Sequence, residues 1–300
     1  MIGEILTGLN ILEKLGKFWN WIRGQKQAAP AESVATRFIR LFASHDVHRN
    51  QIPRFFGHGL LPKDVQDDAS LFAKLDEAML DAARMRFAVR REWLDGAETQ
   101  VYPRHDLYKH PEKVAGFLES LKANNPDGDL DGVLLAPEEG EGEALLILQE
   151  EIGAVGDKPI YRYHLCNNWL FEYWKSRAYL AAFVAIAWKS KVHVRGVFMP
   201  RNELDRMATG DDLLIPRDEG VWAFGGKKWY PEDMALKPDV FLRGIDPERN
   251  NFGMAAGLEL WLHLAQEGYM DTGLGMYDGA VVRRLFEQEL AKCSGTQGNS

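Results

Sequence analysis

Apolar positions follow helical spacing over the first third of the chain, strand spacing from about residue 132, and helical spacing again towards the C-terminus. At the start, Ile2, Ile5, Leu9, Leu12, Gly16 and Trp19 alternate by threes and fours, with Leu6, Leu15 and Ile22 widening the stripe. This predicts an amphipathic helix over residues 2–22, followed by a short linker, QKQAAP. Ser33 then stands as a cap before Val34, Phe38, Leu41 and Phe42, which predict a helix ending near Ser44. Beyond the corner His45-Asp46-Val47, Val47 and Ile52 are placed to plug the angle with a second helix. That helix begins either at His48 or, because a proline is tolerated only in a first turn, at Pro53 with HRNQ leading into it. After a further stretch, Leu60 to Lys74, the segment FAVRREWLDG sets Phe87, Val89, Trp93 and Leu94 against the bundle, with Gly96 as a stop.

From residue 97 the pattern changes. Val114–Lys122 reads as a short helix and Asn124–Gly128 as a turn. Gly132–Ala136, Ala144–Gln149 and Ile160–Cys166 read as strands, the last two joined as a hairpin through GAVGDKP. A long helix over Asn168–Lys189 and a strand over Val192–Met199 follow. Residues 203–245 suggest short strands or ordered loops, with a helical turn starting near Pro231. Asn251–Gln266 and Tyr277–Lys292 read as helices, the second amphipathic through Val281, Leu285, Phe286 and Leu290. The fold class is therefore α+β, with a mainly antiparallel sheet in a mixed body behind a helical domain. The expected division is an arm and linker at 1–29, a helical domain at 30–100, a body at 101–293 and a disordered tail at 294–300.

Composition changes this picture in two places. The chain of 300 residues has a net charge of -8, which excludes a protein that coats nucleic acid with its whole surface. The acid is unevenly spread. Residues 1–96 hold 14 Lys and Arg against 12 Asp and Glu, leaving 22 against 32 in the remainder. Between residues 33 and 63, Arg37, Arg40, Arg49, Arg54 and Lys63 face a single acid, Asp46. Two cysteines, Cys166 and Cys293, make neither a disulfide framework nor a zinc module and point to a reducing cytoplasm. The longest apolar run, Ala178–Trp188, is too short to span a bilayer and reads as a buried helix. The N-terminal stripe is no signal peptide, since Glu4, Glu13 and Lys14 interrupt it. It suits packing on a partner helix or on a second copy, or a membrane surface reached through Lys14, Lys17, Arg23, Lys26, Trp19 and Trp21.

Residues 33–96 resemble the phage-repressor-like (Xre-type) helix-turn-helix family. Val47 and Ile52 occupy its plug positions, and FAVRREWLDG is similar to its closing segment, commonly F-G-V-x-x-x-W-L-x-G. Phe42 replaces a small residue, Asp46 replaces the turn glycine, Pro53 falls in the second helix, and about fifteen extra residues precede the closing segment. The resemblance implies a DNA-binding homodimer. His48, Arg49, Asn50, Gln51 and Arg54 would meet the major groove, with Arg37, Arg40 and Lys63 on phosphates.

Elsewhere the chemistry is sparse. Period two on IYRYHLC puts Arg162, His164 and Cys166 on one face, and Arg162, His164 and Asn167 are the candidate lining of a pocket for an unidentified small molecule. A Cys-His pair on one strand is more often a pair of neighbours than a nucleophile and base. No His or Cys set has metal-ligand spacing, GLGMYDGA lacks the pattern of a phosphate loop, and the acidic runs EEGEGE and Asp211-Asp212 read as solvated loops. No catalytic residue, metal or cofactor is assigned. The expected function is a cytoplasmic transcriptional regulator with a ligand-sensing or assembly domain, not an enzyme. The alternative is a signalling or scaffold protein, peripheral to the inner membrane, using the helical domain for protein contacts.

Overall fold

The computed structural model describes residues 32–215, 224–245 and 253–295. The expected N-terminal amphipathic helix and its linker lie outside the described residues. The helical region contains α1 (Val34–Ser44), α2 (Ile52–Phe56), α3 (Asp68–Lys74), α4 (Glu77–Phe87) and α5 (Arg91–Leu94). Beyond a connecting segment, α6 (Pro111–Asn124) leads to β1 (Leu130–Pro137), β2 (Glu143–Val155) and β3 (Lys158–Leu170). Then follow α7 (Trp174–Lys189), β4 (Val194–Met199), α8 (Arg201–Ala208) and β5 (Lys227–Trp229). Two short helices, α9 (Asp233–Leu236) and α10 (Pro238–Leu242), precede α11 (Gly253–Gln266) and α12 (Gly279–Gly295).

The five strands form one sheet in the order β3-β2-β1-β4-β5. Only the β1–β4 pair is parallel; the others are antiparallel. The α+β expectation with a mainly antiparallel sheet therefore holds. Both faces of this sheet are covered, and alternation along the strands sorts their side chains into two cores. Leu134, Ala136, Leu146, Leu148 and Cys166 pack in one core with α6, α7, α11 and α12. Val133, Leu135, Leu145, Ile147 and Leu165 pack in the other with the helical region and α8. The consequence for β1 is an almost unbroken buried run, as expected of a strand covered on both sides.

Several boundaries differ from the sequence reading. GAVGDKP is not a loop: β2 and β3 continue through it to a tight turn at Gly156-Asp157, with a register shift between Glu151 and Gly153. Asn168–Tyr173 does not start the long helix, because β3 pairs past a second register shift as far as Leu170 with Glu143. The first part of residues 203–245 is helical, in α8, and β5 is the short strand found there. The helix at the C-terminus continues through Gly295 into the expected tail, whose last five residues lie outside the described set.

A buried cation fixes the far side of the body. Arg177, at 1% exposure, donates to the carbonyls of Phe171, Phe241 and Arg243 and so ties the end of β3 to α10. Burial lowers its pKa, partly offset by Glu172. Stacked rings of Trp261 and Phe286 join α11 to α12.

Candidate functional site

The corner between α1 and α2 is built locally. The Ser33 hydroxyl accepts the Thr36 N–H at 3.1 Å, capping α1. Asp46 then takes a left-handed conformation, φ 59°, which turns the chain so that Val47 and Ile52 are fully buried in the angle. Arg49–Gln51 form a single 3-10 turn, and α2 starts at Ile52. Of the two starts open in the sequence, the later one is found, one residue ahead of Pro53. There proline's missing N–H costs no helical hydrogen bond, whereas a start at His48 would set its ring against the preceding turn. Gly57, at φ 76°, ends α2 after five residues.

The eight side chains expected on DNA divide into two groups. His48, Asn50, Arg54 and Lys63 are exposed at the corner and just beyond it, as is His58. The other four have partners within the molecule, although Arg40 itself is exposed. Arg49 pairs with Asp68, whose other oxygen accepts the Thr36 hydroxyl at 2.7 Å. The Thr36 and Arg49 bonds hold the Asp68 carboxyl below its usual pKa. Gln51 accepts the His48 N–H at 2.8 Å. Arg37 donates to the Trp93 carbonyl at 2.9 Å, and Arg40 lies 3.1 Å from Glu32 with its guanidinium over the Trp93 ring. Glu32 and Asp68 carry no motif, which is why sequence reasoning left these four arginine and glutamine side chains free.

On the sheet, the β2–β3 register places Glu150 opposite Arg162 and Leu148 opposite His164. Glu150, at 1% exposure, accepts two bonds from the Arg162 guanidinium at 2.6 and 2.7 Å and one from His164 Nε2 at 2.8 Å. Burial pushes its pKa up, but the His164 and Arg162 bonds together outweigh this and bring it down to about 2. The His105 ring lies 5.9 Å from that of His164 and against Phe117, and burial, with His164 adding to it, lowers the His105 pKa to about 4. The cluster also reaches the helical region. Arg162 donates to the Met85 carbonyl at 3.1 Å, and Arg86 to the Ile152 carbonyl at 3.2 Å.

Asn167 does not join Arg162 and His164. It sits in the irregular stretch of β3 and donates to the Ala208 carbonyl of α8 at 3.3 Å. Cys166 is fully buried beneath α7, and burial raises its thiol pKa, so it offers no accessible thiolate. Glu150 and His105 were missed because neither carries a signal in its own segment. Strand register alone reveals the first.

Among the described residues, no group of three or more His, Cys, Asp or Glu side chains is arranged to hold a metal ion, and no helix is long and apolar enough to cross a membrane. No family model, curated protein or solved structure matches the chain. The site is read from its own geometry.

Proposed function

We propose that the chain is a DNA-binding regulator whose corner segment contacts DNA and whose α+β body senses a ligand or mediates assembly. The observation that carries this reading is the exposed outer side of the corner. His48, Asn50, Arg54, His58 and Lys63 are all exposed there, and residues 48–63 contain no acidic residue in a chain of net charge -8. Arg and Asn side chains at the start of a helix suit base edges, and the remaining cations suit phosphates. The contact set is smaller than the sequence suggests: His48, Asn50, Arg54 and Lys63 in place of eight residues. So few contacts call for two copies on DNA, which makes a homodimer in the cytoplasm the working form.

The test is fluorescence anisotropy of the full chain on a pool of genomic fragments across a salt series. Binding is expected to weaken linearly in log salt, and Arg54→Ala is expected to lower that slope by about one. Asn50→Ala is expected to weaken binding with the slope kept. Affinity untouched by both substitutions, or no binding at low salt, overturns the reading.

A second reading is favoured by the internal pairing of Arg37, Arg40, Arg49 and Gln51 and by the five-residue length of α2. In it the helical region is an assembly surface of a signalling or scaffold protein at the inner membrane, and the full chain binds no DNA in the same titration. Vesicle flotation of the full chain against one lacking residues 1–27 tests the membrane attachment; equal flotation removes it.

A further inference from the structure

On the face of the sheet opposite the helical region, a cavity of about 290 Å³ opens beside β4. It is lined by Trp188, Trp229 and Tyr230 with Val194, His193, Arg195 and Glu232. Each ring is placed by the fold. Trp188 stands in the last turn of α7, and Trp229 pairs across from Gly196 in β4. A Cβ on Gly196 would fall 2.6 Å from the Trp229 indole, so only glycine lets that ring lie against the strand.

Three polar atoms on these walls are shielded from solvent and have no hydrogen-bond partner among the described residues: Trp188 Nε1, Trp229 Nε1 and Glu232 Oε2. The nearby cations are committed elsewhere. Arg195 and His193, in the same lining, face Asp131 at 3.4 and 4.0 Å, and Lys237 binds Asp233 at 2.9 Å. Glu232 is thus half-buried and paired with no cation among the described residues, in the lining that also holds the three aromatic rings, and burial raises its pKa, with Lys237 opposing this. Ring faces carry negative electrostatic potential, and a desolvated cation gains from both the rings and the carboxylate. The lining is almost wholly apolar, which disfavours a strongly hydrated metal ion and suits a cation clothed in methyl or methylene groups. The volume admits one compact group.

We propose that this slot binds a small alkylammonium cation, with its alkyl groups against Trp188, Trp229 and Tyr230 and its charge beside Glu232. The proposal does not depend on DNA binding, since the slot and the corner lie on opposite faces of the sheet.

The experiment is calorimetric titration of the full chain with choline and, separately, with its neutral isostere carrying a tert-butyl group in place of trimethylammonium. Saturable choline binding at least about tenfold tighter than the isostere is expected. Glu232→Gln keeps the side-chain shape and is expected to abolish that preference. Tyr230 is 68% exposed, so Tyr230→Ala leaves the fold in place and is expected to weaken choline binding. Absence of saturable choline binding, equal affinity for the isostere, or unchanged preference in Glu232→Gln overturns the proposal.

Discussion

Phe42 shows how one side chain resets a motif. Where the repressor-like pattern has a small residue that lets helices approach, Phe42 is fully buried and its ring centroid lies 4.7 Å from Phe38, 5.3 Å from Phe56 and 4.8 Å from Phe87. The corner is held by interlocking rings rather than by close backbones, each pair adding about 0.5–1.5 kcal/mol beyond its burial. Phe42→Ala is expected to destabilise the protein by about 3–5 kcal/mol in urea unfolding. Its neighbour His45 makes a pH prediction. The ring is buried between Phe87 and Tyr163, Nδ1 bonds the Leu41 carbonyl at 2.8 Å, and burial lowers the pKa to about 4 from an ordinary 6.5. Between those values the unfolded chain binds a proton that the folded chain refuses. Stability is therefore complete above pH 6.5 and falls as the pH drops towards 4. His105 adds a slope of the same sign. His45→Gln is expected to flatten the dependence relative to the parent, measured as the difference in unfolding free energy at pH 7 and pH 5.

At the scale of elements, what could be read depended on whether its cause was local. The cap at Ser33, the left-handed Asp46, the plugs Val47 and Ile52 and the stop at Gly96 were legible because each acts within a few residues of itself. The course of β2 and β3 was not. Their outer halves are polar, GAVGDKP has the composition of a loop, and the two register shifts follow from pairing, which no single segment shows. The candidate site divides in the same way. Period two put Arg162 and His164 on one face, whereas Glu150 reaches them only through cross-strand register, and Asn167 is carried away by the irregular stretch beside it. The resulting cluster is a clasp between elements, since Arg162 binds Glu150 in the sheet and the Met85 carbonyl in the last turn of α4. Arg162→Ala is expected to speed amide hydrogen exchange in residues 84–89 and in the β2–β3 hairpin while β1 stays protected. Equal protection in all three segments would mean that the clasp holds nothing.

The whole molecule is organised by the sheet. The helical region and the sheet share one core. Phe38, Leu41, Phe42, Phe87 and Trp93 belong to the same buried cluster as Val133, Leu135, Leu145, Ile147 and Leu165. Those five strand residues are fully buried, and without the helical layer they would form a wide apolar patch on a sheet whose other face is already packed. The helical side has the complementary need, since the described residues 32–100 contain no second layer to cover the same surface. Two parts that bury each other in this way unfold together. Calorimetry of the full chain is expected to give one transition for residues 32–295, with calorimetric and van't Hoff enthalpies in agreement. A chain beginning at residue 97 is expected to aggregate, and residues 30–100 alone are expected to lose the sharp near-ultraviolet circular dichroism of Trp93. Two separate transitions in the full chain, with the isolated helical piece melting at the lower or upper of them, would show instead that the corner is carried as a module and that the sheet only rests against it.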